Sequence, residues 1–196
     1  HLLSRRQRQM CIRDSSYTSG RSKRITYYSI IVAKQLGLST IDTGKVELAG
    51  MLHDIGMIGV SDEILYKIDA LSQEEYDEIK KHITYSVKIL EDIKQLKDVV
   101  EIIKYHHEKY DGTGYPYGVK GEDIPLGSRI IAVADAFDSI ISNRIYRNKI
   151  ELQDALNEIK KGALTQFDPV VVKAFEDSFD AISAAVSEAE LSSYKD

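Results

Sequence analysis

Apolar residues recur three or four positions apart along almost the whole chain, and nowhere do they alternate as in a half-buried strand. Ile25, Tyr28, Val32 and Leu36 form the first stripe, closed by Gly37, and Val46, Leu48, Ala49 and Leu52 form the next, closed by Gly56. A short helix is expected over 62–66. Ser72 with Glu75 three residues later is a capping box that opens a helix to about His82. Further helices are expected over 84–93 and 96–107. Beyond Pro125 a strong helix runs to about Ser142, with Ile130, Ala134, Phe137 and Ile141 on one stripe. Two more follow, over 152–161 and after Asp168, an N-cap with Pro169 at the first helical position. The tail from Ala181 is small and polar and is expected to fray. The fold class is therefore all-α, a single domain of about eight helices, which suits a chain of 196 residues.

One stretch breaks the helical texture. Between Gly112 and Gly127 lie five of the twelve glycines and two of the three prolines, the mark of an ordered loop or a set of tight turns. Charge is uneven too. Residues 1–14 hold Arg5, Arg6, Arg8 and Arg13 against Asp14, together with Cys11, the only cysteine. The string LLSRRQRQMCIRDS resembles translated sequencing-adapter sequence, so residues 1–15 are read as a non-native or disordered segment, 16–178 as the domain and 179–196 as a C-terminal tail. Without those first fourteen residues the chain has 22 basic and 30 acidic side chains, a net charge of −8 against −5 overall. That excludes a dedicated binder of nucleic-acid polymers, which needs a basic face. One cysteine excludes a disulfide framework and a cysteine zinc knuckle. No apolar run approaches the ~20 residues of a membrane span. A cytoplasmic location is expected.

Four places carry chemistry that packing does not need. His53 and Asp54 end an apolar helix, where neighbours about 100° apart can still converge on one ion. His106 and His107 follow Val99, Ile102 and Ile103, directly before the glycine-rich stretch, and imidazole suits zinc, manganese, iron or copper. His82 also lies near an expected helix end. Asp135 stands within Ile130–Phe137, and a carboxylate there needs a cation or an arginine such as Arg129 or Arg144. The fourth is the loop Tyr110–Pro116, whose glycines permit close backbone approach to a ligand.

In order, the segments LLHDIG, KKHITYS, HHEKYDGTGYPYGVKGEDIPLGSRIIAVADAFDSI and NRIYR resemble the HD-GYP family of the HD phosphohydrolase superfamily, from about Tyr17 to Phe175. The resemblance implies an all-helical HD-type fold with a GYP loop and a metal-dependent phosphodiesterase that hydrolyses the bacterial second messenger cyclic di-GMP to the linear dinucleotide or GMP. It implies two divalent ions, iron or manganese, which together can generate hydroxide and clamp developing charge. By position, His53, Asp54 and Asp135 would hold the first ion, Asp54 would bridge, and His82 and His106 would hold the second. His107 would support the site or serve a third ion. Asp111 would orient a histidine or water, which puts His53, Asp54 and Asp111 in the catalytic group. Tyr115, Arg144, Arg147 and Asp138 fall on the substrate side. The implied partners are cyclic di-GMP, an upstream receiver or sensor domain of two-component type, and a diguanylate cyclase.

Four positions depart from the family pattern. Arg21 stands where the first-metal histidine belongs, and arginine cannot ligate, although its charge can offset part of a lost ion's. Met57 replaces the lysine that follows HDxG, and Ile145 replaces a proline. Tyr17 occupies the site of the glutamate that serves a third ion, so two ions are expected rather than three. The second reading is a catalytically impaired module that binds cyclic di-GMP or a protein without turnover.

Overall fold

The structure is a computed structural model that describes residues 15–142 and 152–193, with side chains described over 20–142 and 152–186. Helix α1 spans Ser15–Gln35 and ends where Gly37 takes φ 75°, its N–H bonding to Lys34 O while Leu38 N reaches back to Ala33 O. Helix α2 spans Thr40–Leu52, and its N-cap Ser39 accepts from Asp42 N at 3.1 Å. A 3₁₀ turn, Ile55–Gly59, leads to the short α3, Asp62–Leu65. Helices α4, Gln73–Lys80, and α5, His82–Leu90, are separated only by Lys81. Helix α6, Lys97–Lys104, is followed by the histidine turn and the glycine-rich loop. Helices α7, Leu126–Ser142, α8, Leu152–Lys161, α9, Pro169–Asp177, and α10, Phe179–Ser193, complete the order. The described residues contain no strand.

Helix α1 lies at the centre and packs on α2, α7, α9 and α10. Its Ile25, Tyr28 and Val32 are buried with Val46 and Ala49 of α2, Ile130, Val133, Ala134 and Phe137 of α7, and Phe175 of α9. Tyr28 meets Phe137 edge-on at 5.6 Å, and Phe137 meets Phe175 at 5.0 Å. Each such side chain contributes about 1.5–3 kcal/mol by burial. A second, smaller cluster joins Val60, Leu71 and Ile79 with Met57, Ile64, Leu65 and Tyr85. It braces the 55–79 segment against α5.

The capping box at Ser72 forms in both directions, and Asp168 caps α9 by accepting from Val170 N at 2.7 Å. Two expectations change. Helix α6 ends at Lys104 rather than near 107, so His106 and His107 sit on a turn. The segment after 178 does not begin as a frayed tail: α10 continues to Ser193 and buries Ile182, Ala185 and Val186. Those three recur at helical spacing, a stripe masked by the small, polar residues around them. No helix among the described residues is long and apolar enough to cross a membrane.

Candidate metal centre

Three histidines are aimed by the backbone. The Nδ1 of His53, the C-cap of α2, lies 2.7 Å from Gly50 O. The Nδ1 of His82, the first residue of α5, lies 2.7 Å from Ile79 O, and that of His106 lies 2.6 Å from Ile103 O. A carbonyl only accepts, so each Nδ1 carries a proton and each Nε2 is turned into the site, with a lone pair wherever the ring is neutral. All three Nε2 atoms are buried without a hydrogen-bond partner. On neutral rings such as that of His106, orphaned acceptors of this kind are expensive unless a cation meets them.

The fourth donor comes from the turn after α2. Asp54 Oδ2 lies 3.1 Å from His53 Nε2, and Oδ1 lies 3.6 Å from His82 Nε2. Gly56 makes this approach possible. Its N–H donates to Ser86 Oγ at 2.9 Å, that hydroxyl donates to His53 O at 3.3 Å, and a Cβ on Gly56 would lie 1.9 Å from His82 O. The turn therefore lies directly on α5. One donor atom each from Asp54, His82, His106 and His107 falls within 4.8 Å of the others. An oxygen and nitrogen donor set of this kind fits iron, manganese or zinc.

The electrostatics agree with a cation site. Burial works to raise the Asp54 carboxyl, but His53 above all, with His82 and His106, holds it well below its usual range. Burial lowers His106 to about 4, helped by His53 and His82, and burial also holds His107 well below its ordinary value. Both are therefore neutral at pH 7, the form that ligates. Burial opposes a charge on His53, yet Asp54 and Asp135 raise it to about 9. In the metal-free protein a proton on His53 answers the carboxylates.

Asp135 does not join this group. Arg21 Nη2 is 2.5 Å from Asp135 Oδ1 and donates to Ser139 Oγ at 2.9 Å. The arginines expected as alternatives are elsewhere: Arg129 pairs with Asp168, and Arg144 lies outside the described residues, as do Ile145 and Arg147. Asp138 is corrected from the substrate side. It is fully buried, bound by Arg24 Nε at 2.7 Å and Nη2 at 3.1 Å, because its place three residues after Asp135 faces α1. Among the described residues Asp111 bonds to no histidine. Its Oδ1 accepts from Thr113 N at 2.8 Å and Thr113 Oγ1 at 2.7 Å, a local turn bond that engages its carboxylate within the loop. Tyr115 does reach the site, stacked on His107 at 4.9 Å, and the Tyr115–Pro116 peptide is cis.

All four donors, with Arg21, Asp135, Met57 and Tyr115, line one cavity of about 850 Å³. A family model described as HD domain matches residues 6–171. The chain belongs to the HD domain family. HD domains bind divalent metal ions, and the HHEKYDGTGYP run places this one in the HD-GYP group. It is 37% identical over 168 residues to the 3'3'-cGAMP-specific phosphodiesterase 3 of Vibrio cholerae, covering 86% of this chain and 36% of that protein. It is 38% identical over 160 residues to the cyclic di-GMP phosphodiesterase of Thermotoga maritima, covering 81% and 44%. It is 37% identical over 174 residues to the cyclic di-GMP phosphodiesterase response regulator RpfG of Xanthomonas campestris pv. campestris, covering 88% and 46%. The chain thus spans between a third and a half of the length of these relatives. The fold is shared with Bd1817, a HDG"Y"P protein of Bdellovibrio bacteriovorus, at TM-score 0.65 and 22% identity over 83% of this chain and 52% of that one. It is also shared with a cyclic GMP-AMP specific phosphodiesterase of Vibrio cholerae, at TM-score 0.64 and 20% identity over 82% and 44%.

Sequence reasoning passed over several residues of this HD domain. Glu108 is buried, and its Oε1 accepts from Tyr117 N at 2.7 Å and Gly118 N at 3.1 Å, tying the GYP loop to the histidine turn. Its place directly after His106 and His107 was the available signal. Lys80 lines the cavity, its Nζ 4.7 Å from the Tyr76 ring centre and 5.6 Å from that of Tyr115. Glu108→Ala is expected to lower stability by about 1–3 kcal/mol, the cost of leaving buried partners unpaired. Hydrogen exchange at the Tyr117 and Gly118 amides should quicken in that variant. Unchanged exchange there would show that the carboxylate does not hold the loop.

Proposed function

We propose that this HD domain is a metal-dependent phosphodiesterase that hydrolyses cyclic di-GMP to the linear dinucleotide or GMP in bacterial signalling. The carrying observation is the convergence of donor atoms from Asp54, His82, His106 and His107 within 4.8 Å of one another, beside a cavity large enough for a nucleotide ligand. The names of the relatives, cyclic di-GMP and cGAMP phosphodiesterases, support the same reading.

In this reading Asp54, His82, His106 and His107 hold a divalent ion, iron or manganese. The ion supplies Lewis acidity, which makes water a competent nucleophile at neutral pH and offsets charge building on the phosphate. Asp54 is the anionic donor, and His53 beside it keeps the carboxylate ionised. The Tyr115 ring, backed by His107, offers a face on which a guanine can stack. Lys80 adds a cation at the cavity that Met57 does not provide. Arg144 and Arg147 belong to this reading as donors to phosphate or to the guanine edge. An upstream receiver or sensor domain and a cyclase partner belong to it as well, and RpfG is itself named a response regulator.

The test is turnover of cyclic di-GMP and 3'3'-cGAMP by the purified chain loaded with iron or manganese. Asp54→Ala is expected to lose several kcal/mol of Lewis-acid stabilisation, a fall on the order of 10²–10⁴-fold in rate. Binding of the cyclic dinucleotide without turnover under either metal would favour the impaired binding module. A rate untouched by Asp54→Ala would remove the metal mechanism.

A further inference from the structure

We propose that the Arg21 guanidinium occupies the place of the first of the two ions implied by the HD-GYP resemblance, so that this chain carries a single-ion centre with a permanent organic cation fixed beside it. The inference rests on the metal reading above.

Three observations carry it. First, the donors divide into two sets. Asp54, His82, His106 and His107 converge within 4.8 Å, whereas Asp135 has its Oδ1 closed by Arg21 at 2.5 Å. Second, Arg21 is built in. It is 8% exposed, and besides Asp135 it donates to Ser139 Oγ at 2.9 Å and lies 3.6 Å from Asp138 Oδ2. Third, Asp135 already has a charge partner. Asp135 and Asp138 face Arg21 and Arg24, two carboxylates against two guanidiniums. A divalent ion placed on Asp135 would meet the guanidinium as a like charge beside a buried pair.

A guanidinium does not ligate and does not give up its proton, so it cannot help to ionise water. It can hydrogen-bond and neutralise a phosphate oxygen, and Arg21 lines the same cavity as the four donors. The tasks that two ions share are therefore split: the single ion serves the nucleophile, and Arg21 serves the charge on the phosphate.

The experiment counts ions. The purified chain is dialysed against manganese, and its metal content is measured by mass spectrometry alongside its electron paramagnetic resonance spectrum. One equivalent and an uncoupled six-line signal are expected. Arg21→His, which restores a donor, should hold two equivalents and show the broadened signal of a coupled pair. Arg21→Lys, which keeps the charge without a ligand, should stay at one. Two equivalents or a coupled signal in the parent chain would overturn this inference alone. A single equivalent in a folded Arg21→His would also overturn it. No bound manganese in the parent would overturn the metal reading and this inference with it. If Arg21→His does not fold, the stoichiometry and line shape of the parent decide by themselves.

Discussion

Gly56→Ala is expected to weaken the fold and the ion site together. The added Cβ would lie 1.9 Å from His82 O, 2.4 Å from Ser86 N and 2.7 Å from Ser86 Oγ. The first two are backbone atoms of α5, so no rotamer change relieves them. The turn that carries Asp54 must lift away from the helix that carries His82. Overpacking of this kind costs about 1–3 kcal/mol, or roughly 2–12 °C in melting temperature for a chain of this size. The second effect is the more diagnostic. Manganese should raise the melting temperature of the parent chain, because the ion binds the folded state alone. In the variant that rise should largely disappear, since Asp54 and His82 no longer converge. Thermal melts of both proteins with manganese and with a chelator read the two effects separately. An undiminished manganese shift in Gly56→Ala would show that the contact between turn and α5 does not set the site.

The second large effect is expected at Asp138. It is fully buried, receives Arg24 Nε at 2.7 Å and Nη2 at 3.1 Å, and has Arg21 Nη1 at 3.6 Å. Asp138→Ala leaves two guanidiniums facing each other without their shared carboxylate. Breaking a buried pair in this way costs about 3–5 kcal/mol. Asp177→Ala is the control, because the Lys173–Asp177 pair at 2.5 Å is exposed, and such pairs contribute about 0–1 kcal/mol. Urea unfolding of the three proteins tests the contrast. Equal midpoints for Asp138→Ala and Asp177→Ala would mean that the α1–α7 charge network does not hold the fold. A substrate-binding role for Asp138 would instead raise KM and leave the midpoint alone.

Local signals were legible and distant ones were not. The helix stops at Gly37, the reciprocal capping at Ser72 and Glu75, and the start at Asp168 and Pro169 depend on neighbours within a few residues, and spacing reveals them. His53, Asp54, His82, His106 and His107 also stood out, because ligand types cluster at helix ends. The partner of Asp135 was out of reach. Arg21 lies 114 residues away, and nothing in the local pattern ranks it above Arg129 or Arg144. Asp138 looked available for substrate because a carboxylate on a helix has no visible partner until α1 is laid against it. Asp111 has its visible partners close at hand instead. The motif drew it towards the histidines, whereas its nearest donors are in its own turn. Ile182 was hidden by the alanines and serines around it.

The three rings of His53, His82 and His106 share one device: each gives its Nδ1 proton to a carbonyl three residues earlier in the chain. A carboxylate in that role could be lost by a single codon change, but a peptide carbonyl is present whatever residue bears it. The aim of each ring is therefore insulated from mutation nearby and from the fate of the other two. A donor elsewhere in the site can be exchanged without scattering these three. Such a centre can change its ion count by small inherited steps while the remaining donors keep their aim.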